Sequence, residues 1–125
     1  MQNKYIEAVE MLNRAQDEFE KTRHQLGVAQ CLQRLGEIHS MQNKSSEAVE
    51  MLIKAKNQFE QIVDWLGAAQ CLQSLGDIRR MQGNYNESAE MLNRAKEQFE
   101  QIGDQLGVAW CLRGLGETYR MLLKF

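Results

Sequence analysis

Three cysteines and two histidines are the residues of this chain best suited to nucleophilic or metal chemistry, and their placement argues against both. Cys31, Cys71 and Cys111 stand forty residues apart, each in the same surroundings. Zinc sites and disulfide frameworks need cysteines clustered in space, mostly as short-spaced pairs. Equivalent positions one helix pair apart, with neighbouring axes about 8–10 Å from each other, lie beyond the roughly 7 Å that a disulfide spans. The three thiols read instead as small apolar residues packed between helices. His24 and His39 are replacements confined to one unit, matched by Asp64 and Asp104 and by Arg79 and Tyr119. Glutamate pairs such as Glu7 and Glu10 recur in every unit and read as a solvated face. No spacing suggests a Ser/His/Asp or Cys/His set, and glycine-rich phosphate loops are absent. The sequence points to a non-enzyme without cofactor or metal.

What positions these residues is a repeat. Residues 1–40, 41–80 and 81–120 are one forty-residue unit written three times, with 121–125 as a C-terminal tail. Sixteen of the forty columns are identical throughout: Met-Gln, Glu, Glu-Met-Leu, Ala, Phe-Glu, Leu-Gly, Ala, Cys-Leu and Leu-Gly. A fixed period in this range marks a stacked array, expected here as a single domain over 1–125. With no proline, seven methionines and charged residues interspersed among apolar ones, the composition suits helices. A net charge of −2 provides no field to recruit nucleic acid or an acidic membrane. No apolar run nears the roughly 20 residues of a membrane span, and no signal-like segment opens the chain. A cytoplasmic protein is the expectation.

Within one unit, Tyr5, Ala8, Val9, Leu12, Ala15 and Phe19 recur at three- and four-residue steps, one face of a helix over about 5–21. After a polar break, Leu26, Ala29, Leu32, Leu35 and Ile38 predict a second helix over about 25–41. The pair returns at 45–61 and 65–81, then at 85–101 and 105–122. Short links make consecutive helices antiparallel. Asp64 and Asp104 suit N-caps, and His24 in their place should cap less well. Gly36, Gly76 and Gly116 fall inside the second helix of each pair, where glycine costs about 1 kcal/mol relative to alanine. Such a cost implies tight packing there. Met11, Met51 and Met91 read as core or near-core filler.

Cys-Leu-x-x-Leu-Gly, followed by Tyr85-x-Glu87-x-Ala89 and Leu92-x-x-Ala95, resembles a tetratricopeptide repeat; Ala48, Ala55 and Leu72-x-x-Leu75-Gly76 repeat the pattern. The period exceeds the usual thirty-four and is similar to the long-repeat branch of Leu-Gly-Asn-repeat adaptors, kinesin light chains and the repeat arms of some fungal and bacterial signalling receptors. Gly103-Asp104-Gln105-Leu106-Gly107-Val108-Ala109 matches the segment that opens the first helix, A, of that branch's unit. The resemblance implies an all-α, right-handed α-solenoid of antiparallel hairpins, its six helices in the order B-A-B-A-B-A, with a concave groove lined by A helices. It implies a protein- or peptide-binding scaffold. The groove positions would be Gln30, Gln33, Glu37 and Ser40, then Gln70, Gln73, Asp77 and Arg80, then Trp110, Arg113, Glu117 and Arg120.

The residues support the same positions independently, since these columns lie off the apolar stripe and several differ between units. Trp110, where other units have Gln30 and Gln70, is either an interface anchor beside Arg113 or a cover for the last repeat. Trp65 reads as a surface residue. The carboxylate grip of some family members is not expected, because Glu37 and Asp77 would repel it; a peptide of mixed charge fits better. A second reading is a self-associating array. Leu12 and Phe19 on the first helix and part of Leu112–Leu115 with Leu122-Leu123-Lys124-Phe125 on the last are expected to be exposed and mutually complementary, giving a head-to-tail homo-oligomer. The link Met41–Ser45 lacks glycine, so helix fusion or swapping is expected to be easy there.

Overall fold

The computed structural model describes residues 2–124, with side chains from Lys4 onward. All regular structure among the described residues is helical: α1 (Gln2–Lys21), α2 (Gln25–Met41), α3 (Ser45–Gln61), α4 (Trp65–Met81), α5 (Tyr85–Ile102) and α6 (Gln105–Leu122). The periodicity therefore placed every helix, although α1 begins at Gln2 rather than near residue 5. The chain divides into two compact units, Met1–Val63 and Asp64–Phe125. In the first, α2 packs on α1 and α3; in the second, α5 packs on α4 and α6, and α4 also touches α6.

Each turn contains one residue in the left-handed region: Arg23, Asn43, Val63, Gly83 and Gly103, with φ of 57, 61, 61, 82 and 75°. This reversal lets the next amide reach back over the helix end. Lys44 N–H donates to the His39 carbonyl at 2.9 Å, Asn84 to Arg79 at 2.8 Å, and Asp104 to Phe99 at 2.9 Å. Asn43 tolerates the conformation, so the glycine-free link after α2 still turns and α2 does not fuse with α3. The next helix is capped at once. Asp64 and Asp104 accept the Gly67 and Gly107 amides at 3.0 Å, and His24 accepts Gly27 through Nδ1 at the same 3.0 Å. The geometry of the histidine cap thus equals that of the aspartates.

Packing explains the glycines. A Cβ on Gly36 would lie 2.7 Å from Leu52 Cγ, and one on Gly76 would lie 2.8 Å from Leu92 Cγ, with both leucines fully buried. Gly116 departs from the expected tight packing, since a Cβ there meets nothing within 4 Å among the described residues. Gly27 and Gly107 have a role that the sequence reading missed. They make room for the Phe19 and Phe99 rings, and a Cβ on Gly27 would stand 2.5 Å from its ring. In the second unit Ala69, Leu72, Ala95, Phe99 and Cys111 form a buried cluster with Val108 against it. Cys31, Cys71 and Cys111 are free thiols, all buried.

Two apolar expectations need correction. Leu12 and Phe19 are half-buried rather than exposed, Phe19 because Gly27 on α2 receives its ring. Met11 is 50% exposed, so it is not filler, whereas Met51 and Met91 are half-buried. On α6, Leu112 is exposed as expected and Leu115 is buried; Phe125 lies outside the described residues.

Ser88 and Thr118 are both fully buried, in columns that hold alanine and isoleucine elsewhere. Thr118 donates to the Gly114 carbonyl at 2.8 Å, so its oxygen accepts the Ser88 hydroxyl proton across 3.2 Å. The buried Ser88 hydroxyl is thus satisfied by Thr118, which is itself anchored on Gly114.

Candidate binding cleft

Helices α4 and α6 of the second unit offer the same kind of face to a common space. Gln73, Asp77 and Arg80 recur at four- and three-residue steps on α4; Trp110, Arg113, Gly114 and Glu117 do so on α6. Together they line a cleft of about 340 Å³. Gly114 makes room for Leu92 of α5 behind it, for a Cβ there would lie 3.1 Å from Leu92 Cδ1, while Asp77 Oδ1 of α4 would stand at an ordinary contact distance of 3.5 Å. Sequence reasoning passed over Gly114. Its signal was a column that reads Arg34, Ser74, Gly114 among otherwise helix-favouring choices.

The charges in the cleft are arranged in pairs along each helix. Arg80 Nη2 stands 3.4 Å from Asp77 Oδ1, and Arg120 Nη2 stands 2.8 Å from Glu117 Oε2. The Arg113 guanidinium lies 5.1 Å from the centroid of the Trp110 ring, a cation–π stack. Burial raises the Asp77 carboxyl above its ordinary range, against the opposing pull of Arg80 and Arg113. Glu117 is held below its ordinary range by the hydrogen bond and charge of Arg120. Cys111, in the buried cluster of this unit, is pushed up to about 11 by burial first and the Asp77 charge second. Its thiol is therefore neutral at physiological pH and a poor nucleophile.

Six of the residues expected to face a ligand meet here: Gln73, Asp77, Arg80, Trp110, Arg113 and Glu117. Gln70 is exposed but does not line the cleft, and Arg120 joins only through Glu117. In the first unit Gln30 is exposed, Gln33 is buried and Glu37 bonds to Arg34 at 3.0 Å. Ser40 is half-buried. Trp65 is exposed at the start of α4, away from the cleft lining.

A second cleft, of about 420 Å³, opens in the first unit where Tyr5, Ile6 and Val9 of α1 face His39 and Lys44. Sequence reasoning did not single it out, because Tyr5 and Val9 were assigned to the apolar stripe. His39 buries Nδ1 there without a hydrogen-bond partner among the described residues. Among the described residues, no group of three His, Cys, Asp or Glu side chains is placed to hold a metal ion. No helix among them is long and apolar enough to cross a membrane.

Comparison with known proteins agrees with the hairpin architecture. A family model described as tetratricopeptide repeat matches residues 45–101 and 67–125. No protein with a curated description matches the chain.

Proposed function

The chain belongs to the tetratricopeptide repeat family, and from that premise we propose that it is a scaffold that binds an extended peptide segment of a partner protein in the cleft between α4 and α6. Repeats of this family mediate protein–protein interaction, and the all-α fold is in general a non-enzymatic scaffold. The observation that carries the reading is Trp110. It is a large aromatic, 45% exposed, in a column that is glutamine in both other units, and it lines a cleft with charges of both signs.

The chemistry follows from the arrangement. Arg113 stacked on the indole fixes its rotamer before a ligand arrives, which lowers the ordering cost of binding. The exposed part of the ring takes an apolar side chain. Asp77 and Gln73 accept or donate to a passing peptide backbone, while Arg80 and Glu117 select neighbouring side chains by charge. Because each acid is matched by a base, the favoured ligand is of mixed charge rather than strongly acidic or basic.

The test is a selection of displayed random twelve-residue peptides on the wild-type chain, followed by affinity measurement by fluorescence polarisation. Trp110→Ala should weaken the selected peptides by about 30-fold, the cost of removing an interface anchor. Trp65→Ala is the control, since Trp65 is equally 45% exposed but outside the cleft. Failure to select any peptide, or equal losses from the two tryptophans, would refute the proposal.

A further inference from the structure

We infer that the cleft between α1 and the end of α2 is a second binding site, and that it takes a tyrosine side chain presented by a partner protein. It shares no residue with the cleft on α4 and α6, so the inference is independent of the peptide reading.

The face concerned is an outward one in the repeat itself. On α5, which has α4 and α6 packed against it, the matching columns Asn86, Glu90, Arg94 and Glu97 are all exposed. Ile6, Glu10, Arg14 and Asp17 of α1 are exposed in the same way and form the outer wall of the cleft.

The third repeat shows what the cleft is shaped to hold. There Tyr85, Glu90, Asn93 and Arg94 are identical to Tyr5, Glu10, Asn13 and Arg14. The column that faces them differs, being His39 in the first repeat and Tyr119 in the third. Tyr119 reaches across to α5, where its hydroxyl accepts from Asn93 Nδ2 at 3.4 Å. An imidazole has neither the length nor the hydroxyl to do this. In the first repeat the space accordingly stays open, as a cleft of about 420 Å³ between Asn13 and His39. The chain's own phenol thus marks the ligand class, a flat ring with a hydroxyl at its far end. The middle repeat breaks the set, with Ser45 and Ile53 in the columns of Tyr5 and Asn13.

The chemistry of the walls agrees. Tyr5, Ile6 and Val9 supply apolar surface for the ring, and the Asn13 amide supplies a donor for the hydroxyl oxygen. Around them the acids Glu10 and Asp17 are balanced by the bases Arg14 and Lys44. A phenol, neutral up to about pH 10, suits that balance, whereas a phosphorylated ring would set added negative charge against both acids. The rim of Ile6, Glu10, Arg14 and Lys44 is exposed, so the cleft is too open to enclose a free small phenol. Sites for small molecules bury most of their ligand's surface. A tyrosine carried on a protein segment reaches that rim with its neighbouring residues as well.

Nitrogen–proton correlation spectra of the whole chain, titrated with the blocked tripeptide acetyl-Gly-Tyr-Gly-amide, test the inference. The side-chain amide of Asn13 and the backbone signals of Ile6 and Val9 should move together, with a Kd of about 1 mM. The phenylalanine tripeptide should bind about three- to tenfold more weakly, through loss of one hydrogen bond. The phosphotyrosine tripeptide should bind no more tightly than the tyrosine one, and p-cresol, the ring without a backbone, should bind more weakly. His39→Tyr, which installs the residue of the third repeat, should fill the cleft and weaken the tyrosine tripeptide at least tenfold. Asn13→Ile, the residue of the middle repeat, should remove the preference for tyrosine over phenylalanine. Signals that stay still at about 10 mM tyrosine tripeptide, where such a site is mostly filled, overturn the inference. So does equal binding of tyrosine and phenylalanine, tighter binding of phosphotyrosine or p-cresol, or a His39→Tyr variant that binds as the wild type does.

Discussion

Replacing Gly76 and Gly116 by alanine, one at a time, should move stability in opposite directions although both residues occupy the same column of the repeat. Alanine in a helix interior is favoured over glycine by about 1 kcal/mol. At Gly116 the new methyl enters open space, so that gain is realised in full. At Gly76 it would lie 2.8 and 2.9 Å from Leu92 Cγ and Cδ2, and 3.5 Å from the Leu92 backbone nitrogen. Leu92 is completely buried and cannot swing aside. Overpacking of this kind costs about 1–3 kcal/mol, which outweighs the propensity and leaves a net loss of up to about 2 kcal/mol. Urea unfolding followed at 222 nm reads both changes. If Gly76→Ala stabilises as much as Gly116→Ala, the account of helix seating through glycine is wrong.

Three other outcomes follow from single sites. Val63 holds a left-handed conformation that costs a β-branched residue about 1–2 kcal/mol, so Val63→Gly should stabilise by about 0.5–1 kcal/mol after the entropy of glycine is deducted; a loss on thermal unfolding would refute the turn geometry. Thr118→Val strands the buried Ser88 hydroxyl and should cost about 1–3 kcal/mol, whereas Ser88→Ala with Thr118→Ile, the residues of the other units, should recover most of it in a double-mutant cycle. Asp77 has its folded pKa raised by burial, so the folded state binds the proton more tightly and this carboxyl's contribution to stability falls as pH rises through its titration. Asp77→Asn should therefore be relatively more stabilising at pH 7 than at pH 3; the opposite trend in melting midpoint would show that the Arg80 pair dominates.

How much of this could be read from the chain varies with the range of the interaction. The apolar steps from Tyr5 to Phe19 and from Leu26 to Ile38 placed the helices closely, because helix periodicity is a property of neighbouring residues. The N-caps at Asp64 and Asp104 were legible for the same reason. Six of the off-stripe residues line one cleft, Gln73, Asp77, Arg80, Trp110, Arg113 and Glu117, whereas Gln33 of the same pattern is buried, so the pattern alone did not decide which of them face outward. Gly114, Ser88 and Thr118 were missed. Each takes its meaning from a residue on another helix, about twenty to forty positions away, and no local pattern marks that partner.

By itself, then, the sequence determined a forty-residue pair of helices repeated three times, its helix limits and the columns that stay apolar. Tertiary structure decided which of the equivalent glycines is filled, at Gly36 and Gly76, and which is open, at Gly116. It also decided that Trp110 lies under Arg113 beside Asp77 and Arg80. The physical reason is that identical columns are made unequal only by what packs on them.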